Sequence, residues 1–376
     1  MARCLVSTRK TKVGDMFVAW RDLRFAKGRF ALMGSVVLLI TLLVGLLSGL
    51  TAGLARENIS AVTGLPASHL AFAAPAGDQE VSFTHSQVPE KAWRAWRAQP
   101  GVRAAEPLGI RTTNAASGGR TAAVSVFGVE PAGGLAPRGA GLTQGQVVLT
   151  EKAAEELGGL TPGARLKIGP LELSVAAVSG TAAFSHTPVV WMDLNDWQRV
   201  GNPGTSLERL ATVLAVSGDG IDLSAADEAA GTRARTVDEA LGAIGSYQAE
   251  NGSLQLMRGF LFAISALVIG AFFTVWTIQR SGDIAVLKAL GASTPYLLRD
   301  ALGQAVVMLV AGTGLGTALA AGFGALISGG DVPFLLDTAT VLVPAAVMIA
   351  LGALGAALSI RRITAVDPLT ALGSAR

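Results

Sequence analysis

The sequence predicts an α-helical membrane protein with four transmembrane helices and an α+β extracytoplasmic domain inserted between the first and second. Three observations predict it: four long stretches without Asp, Glu, Lys or Arg, a basic bias confined to particular short segments, and one intervening region of mixed periodicity. Hydrophobic residues make up 51% of the 376 and charged ones 15%, against roughly one quarter charged in soluble domains.

The uncharged stretches are Phe30 to Leu54, Gly259 to Ile278, Ala301 to Gly330 and Thr338 to Ile360. Each supplies the ~20 residues a helix needs to cross a hydrocarbon core. The basic segment before the first could open a secretory signal, but the apolar core is too long and Leu50 to Arg56 is a poor cleavage site. It reads as a retained helix. The single cysteine, Cys4, excludes a disulfide within the chain, and its place in the basic leader does not suit a lipid anchor. Met16 opens the more structured part of that leader and is a candidate start.

Charge sets the expected orientation. Arg3, Arg9, Lys10, Lys12, Arg21, Arg24, Lys27 and Arg29 precede the first span; Arg280, Lys288 and Arg299 follow the second; Arg361, Arg362 and Arg376 follow the fourth. The link between the third and fourth has Asp331 and Asp337 and no basic residue. The positive-inside rule puts both termini in the cytoplasm and the large insert outside. The expected order is a basic leader with an amphipathic helix (1–29), a span (30–54), an outer domain (55–253), a span (254–279), a cytoplasmic segment (280–300), a span (301–327), an outer loop (328–337), a span (338–360) and a tail (361–376).

Within 55–253, strands are expected at Ala122 to Val129, Gln146 to Thr150, Leu171 to Val178, Val189 to Met192 and Ala211 to Val216, each β-rich and bounded by turn formers. PEKAWRAWRAQ, from Pro89 to Gln99, reads as a helix with Trp93 and Trp96 on one face. Thr150 is a candidate N-cap for the helix that follows it, with a stop at Gly158. His69, His85 and His186 are widely spaced and favour core or surface roles over a metal site. Asn58–Ile59–Ser60 and Asn251–Gly252–Ser253 match a glycosylation triplet that is common by chance.

No phosphate-binding GxxxxGK[S/T] loop occurs, and the spans lack the ionisable residues by which ion-coupled carriers work. Energy for transport would come from a separate subunit on the cytoplasmic side. Nothing calls for a nucleic-acid partner, and no nucleophile–base pair suggests an enzyme. Two segments could receive a partner: Arg280 to Leu298, and Phe17 to Phe30, where Trp20, Leu23, Arg24 and Lys27 are three or four apart. Seating of that basic helix on anionic lipid is an equal alternative.

The arrangement resembles the FtsX/MacB-type permeases of ATP-binding cassette transporters. QRSGDIAVLKALGAS, Gln279 to Ser293, is similar to the family's signature after the second span, with Asp283 where many members have Glu. RRITAVDPLTAL, Arg361 to Leu372, resembles the C-terminal pattern, and Val147 to Gly169 a recurrent stretch of the outer domain. The resemblance implies a homodimer with two ATPase subunits that bind ATP and Mg, and a coupling helix carrying Asp283, Val286, Leu287, Lys288, Leu290 and Gly291.

Within that family, Ser246 to Ala301 looks most like heme-exporting permeases of the HrtB kind. Tyr247, Glu250 and Met257 near the start of the second span offer groups that could ligate heme iron, and Arg258 could pair with a propionate. Glu250 and Met257, seven apart, share a face of a continuous helix. A juxtamembrane charge, a lipid-facing Met and an interfacial anchor are the alternatives for these residues. Export of another amphiphile (peptide, glycolipid, drug), mechanical control of a cell-wall hydrolase as in FtsX, and a sensor without ATPase are the rival functions. Gly312 and Gly316 would permit close helix approach, within one chain or across a dimer seam.

Overall fold

The computed structural model describes residues 27–77, 79–137, 139, 141–201, 209–279, 282, 286, 291, 293–327 and 332–364. It comprises two compact units, one of residues 1–52 with 254–376 and one of Gly53–Ser253.

The long helices are α1 (Lys27–Thr63), α7 (Gly245–Gln279), α8 (Thr294–Ile327) and α9 (Thr338–Thr364), the intervening numbers belonging to the outer domain; the part of α1 after Ala52 and the part of α7 before Leu254 belong to the second unit. All four are long and apolar enough to cross a membrane. Met33, Val37, Ile269, Phe273, Trp276, Met308, Leu309 and Met348 interlock in the core of the first unit. A Cβ on Gly312 would lie 2.9 Å from Val37 Cγ1, and one on Gly316 would lie 2.6 Å from the Leu38 carbonyl oxygen. These glycines therefore let α8 approach α1 of the same chain. Outward exposure of Leu32, Leu39, Leu267 and Leu354 is what lipid-facing positions require.

All four helices outrun their uncharged stretches, α8 from Thr294 and α9 to Thr364 by one or two turns, and two of them carry their extensions into the outer unit. α1 passes Leu54 and continues to Thr63, because RENISAVT holds no breaker; Gly64 and Pro66 then stop it. α7 begins at Gly245, well before its first apolar turn.

The outer unit is α+β. Its strands are β1 (His69–Ala73), β2 (Val88–Pro89), β3 (Val102–Ser117), β4 (Arg120–Val129), β5 (Gln146–Leu149), β6 (Arg165–Ile168), β7 (Leu171–Val178), β8 (Ala183–Phe184), β9 (Thr187–Asp193), β10 (Leu210–Ala211), β11 (Val213–Gly218) and β12 (Thr232–Thr236). Its helices are α2 (Glu90–Arg97), α3 (Glu151–Glu156), α4 (Leu194–Gly201), α5 (Leu223–Ala230) and α6 (Val237–Ala240). The main sheet runs β12-β1-β11-β3-β4-β9-β5-β7-β6, with β8 paired to β9; β2 and β10 form a separate ribbon. Pairing of Ala115 with Ile168 and Ala116 with Lys167 brings β6 back onto β3, so that β3, β4, β9, β5, β7 and β6 close a ring.

Two cores flank this sheet. Trp93 and Trp96, both fully buried from α2, anchor the first with Val124, Leu149 and Met192. The second is a run of edge-to-face rings, Phe72, Phe83, Phe184, Phe127 and Trp191, with centroids 4.8 to 5.7 Å apart. Ala61, Val62 and Leu65 from the end of α1, and Ala243, Ile244 and Tyr247 around the start of α7, pack on this second core.

Two local expectations are corrected. The strand expected over Ala211 to Val216 breaks at Thr212, whose hydroxyl donates to the Ile110 carbonyl (3.2 Å) and accepts from the Ile110 amide (2.7 Å). The side chain thus takes the place of a ladder bond. Thr150 occupies the N-cap position of α3, but its hydroxyl donates to the Val189 carbonyl at 3.0 Å instead of capping.

Candidate functional site

The candidate site lies in the outer unit, where three chain segments meet: the last turns of α1, the β8–β9 turn and the first turns of α7. The turn is two residues long, Ser185 and His186, between the paired Phe184 and Thr187. Both have positive φ, 51° and 62°. A tight primed hairpin turn demands this geometry and favours Asn-Gly. For residues with a Cβ it costs ~1–2 kcal/mol each. Such strain persists where surroundings hold it, commonly at functional sites.

What holds it is a polar cluster. The Ser185 amide donates to the Asn58 carbonyl (3.0 Å) and the His186 amide to the Glu57 carbonyl (3.3 Å). His186 Nε2 lies 2.8 and 2.9 Å from the two carboxylate oxygens of Glu250. A carboxylate only accepts, so this nitrogen carries the proton. Asn58 Nδ2, 3.1 Å from the same nitrogen, then has Glu250 Oε2 as its acceptor at 3.4 Å. The Ser246 hydroxyl donates to Asn58 Oδ1 at 2.8 Å and lies 2.8 Å from the Ser185 hydroxyl. Asn58 has no exposed surface, whereas the His186 and Glu250 side chains are 30% and 44% exposed. A buried amide thus anchors a partly accessible imidazole–carboxylate pair. Lys152 Nζ reaches Glu57 at 2.8 Å on the flank.

Among the residues singled out in the sequence, Glu250 joins this cluster. Tyr247 is half-buried against the aromatic core. Met257 is 49% exposed on α7. Arg258 donates from Nη2 to the Thr51 hydroxyl of α1 at 2.7 Å, a bond that ties two spans together. In the segment expected to couple to an ATPase, Val286 is exposed and Gly291 has φ 94°. Asp283, Leu287, Lys288 and Leu290 lie outside the described residues, as do Trp20, Leu23 and Arg24 and the end of the C-terminal pattern.

Sequence reasoning missed Asn58 and His186. Asn58 is visible only as part of a glycosylation triplet, which its burial makes inaccessible. His186 stands 64 positions before Glu250 with no periodic signal to connect them. Among the described residues no group of three or more His, Cys, Asp or Glu is placed to hold a bare metal ion. A porphyrin-bound iron needs less, because the macrocycle already occupies four positions and the protein adds one or two axial ligands.

Four membrane helices carrying one α+β outer domain between the first two define a transporter permease. Residues 33–233 match the MacB-like periplasmic core domain and residues 256–368 the FtsX-like permease C-terminal domain, so the chain belongs to the FtsX/MacB-type permeases of ABC transporters. A permease of Staphylococcus epidermidis, HrtB, which its name assigns to a hemin transport system, is 27% identical over 364 residues, covering 95% of this chain and 99% of that one. An uncharacterized ABC transporter permease of Mycobacterium bovis is 26% identical over 285 residues, covering 73% of this chain and 76% of the other. The solved extracellular domain of the ABC-type transporter YknZ from Gram-positive bacteria is 13% identical with a TM-score of 0.33, covering 45% of this chain and 98% of that one.

Proposed function

We propose that this permease extrudes heme taken from the membrane at its outer side, driven by a separate ATPase. The observation that carries this reading is the His186–Glu250 pair, 2.8 Å apart and partly exposed. Imidazole and carboxylate are both iron-ligating groups, and Glu250 sits on the helix that becomes the second span. A flat, lipid-soluble ligand can arrive sideways from the outer leaflet at such a height. The likeness to HrtB over nearly the whole of both chains supports the same cargo.

The working unit is a homodimer with two ATPase subunits docked on the segment from Asp283 to Gly291, both termini being cytoplasmic. The basic residues of the leader, the 280–300 segment and the tail support that orientation. ATP hydrolysis in the partner would open and close the outer half of the dimer. A strain lacking this gene should lose growth on hemin that the parent tolerates, and the wild-type gene should restore it. Unchanged hemin tolerance would count against heme as the cargo.

One observation favours a second reading, mechanical control of an outer enzyme. Asn58, Ser246 and Glu250 clamp the ends of α1 and α7 to the β8–β9 turn, which suits force transmission into the outer domain. Chained or misshapen cells with normal hemin tolerance would support that reading instead.

A further inference from the structure

The outer domain also contains a cavity of about 790 Å³, within the range of small-molecule sites. Its wall includes the aromatic side chains of Phe83, Phe184 and Trp197 and three arginines, Arg111, Arg199 and Arg209. Among the described residues no Asp or Glu lines it. This is notable in a domain where, over residues 55–253, 20 acidic residues outnumber 15 basic ones.

The three cations are not equivalent. Arg199 is paired with Asp196 at 3.3 Å, and Arg209 with Glu130 at 3.4 Å. Arg111 has no carboxylate partner among the described residues; its guanidinium lies over the Trp197 ring, 5.4 Å from the centroid. Trp197 itself is 7% exposed, and its Nε1 is buried without a hydrogen-bond partner among the described residues. Arg209 Nε, on the same wall, is likewise buried and has no partner among them. Each such donor costs ~1–3 kcal/mol unless something accepts from it. The side chain is fixed in place, because Gly109 leaves the Trp197 ring, and Gly128 its Cβ and Cγ, the room a Cβ would take.

We infer that this cavity is a binding site for an amphiphilic carboxylate: a flat apolar body seated among Phe83, Phe184 and Trp197, with its acid group on Arg111. The guanidinium fork matches a carboxylate, and stacking on Trp197 pre-orients it. The site is separate from the iron-ligating pair, but the two share a wall. Ser185 and Ser246, bonded to each other at 2.8 Å, line the cavity and belong to the Asn58 cluster.

The test uses the full chain in nanodiscs and 1-pyrenebutyrate, whose emission is excited by transfer from tryptophan. Wild type should show one saturable site per chain. The methyl ester, with the same body and no charge, should bind about tenfold more weakly or worse, the loss expected for a charge-assisted hydrogen bond. Arg111→Met should weaken the acid to the same degree, and Arg111→Lys should recover part of it. Glu250→Ala should leave pyrenebutyrate binding intact whatever it does to hemin, which separates this site from the heme reading. Equal binding of acid and ester, no saturable site in wild type, or an unaffected Arg111→Met variant would overturn the assignment.

Discussion

His186 Nε2 and Glu250 Oε2 stand 2.8 Å apart, joining a strained hairpin turn to the helix that becomes the second span. Neither residue has a reason in its own neighbourhood to meet the other. The contact exists because β8 and β9 bring the turn against the start of α7, and because Asn58 fills the space between. Its energetic and chemical consequences can be separated by substitution.

Asn58→Ala should destabilise the outer domain more than His186→Ala does. Asn58 is wholly buried and bonds to the half-buried Ser246 and Glu250, so its loss leaves a buried void and removes both bonds, at a cost of ~1–3 kcal/mol. The more exposed His186–Glu250 pair should contribute at most ~1 kcal/mol. Thermal unfolding of the full-length protein, followed by tryptophan emission, should rank the two variants in that order.

The turn offers a test of strain. Ser185→Gly removes a left-handed penalty of ~1–2 kcal/mol and also removes a hydroxyl contact of ~1 kcal/mol, so stability should change little. Ser185→Val keeps the backbone demand and adds a branched Cβ, and should cost ~2 kcal/mol or more. Equal unfolding temperatures for the two variants would mean that the turn is not under load.

Gly128→Ala should be severe. Its Cβ would fall 2.4 Å from Trp197 Cβ, on a tryptophan already buried against the sheet. Overpacking of this kind costs ~1–3 kcal/mol, and a displaced Trp197 should also lose pyrenebutyrate transfer. Retained stability together with full transfer would contradict the placement of that ring.

Acid should loosen one helix start selectively. The Thr236 amide and hydroxyl, bonded to Glu239, hold its carboxyl below the ordinary glutamate range within a capping box. A folded value below the unfolded one stabilises fully above the unfolded value of about 4.5, and the contribution is lost as pH falls through the folded value. The protection factor of the Glu239 amide, its exchange rate taken relative to the intrinsic rate at each pH, should fall over that interval in wild type. In Thr236→Ala it should be low at every pH.

The legibility of this chain follows from which forces are local. The four spans were readable because lipid imposes a continuous apolar requirement, and Trp93 and Trp96 because helical spacing puts both on one buried face. β3 was missed, since VRAAEPLGIRTTNAAS carries Pro107 and Gly109 and no sustained alternation. Gly109 is there for contact with Trp197, a demand invisible without the fold. The helical extensions to Thr63 and from Gly245 were missed because burial on the aromatic core, not apolar length, sustains them. Glu250 could be singled out from its place before a span. His186 and Asn58 could not, because only tertiary packing brings them to it.

We propose that Glu250 and His186, where the β8–β9 turn meets the first turns of α7, bind heme. Titration of hemin into the purified full-length protein in nanodiscs, read at the Soret band, addresses it directly. Wild type should give a saturable, shifted band that Glu250→Ala and His186→Ala each weaken, the double substitution abolishing it. A band of unchanged position and amplitude in the double variant would contradict the claim.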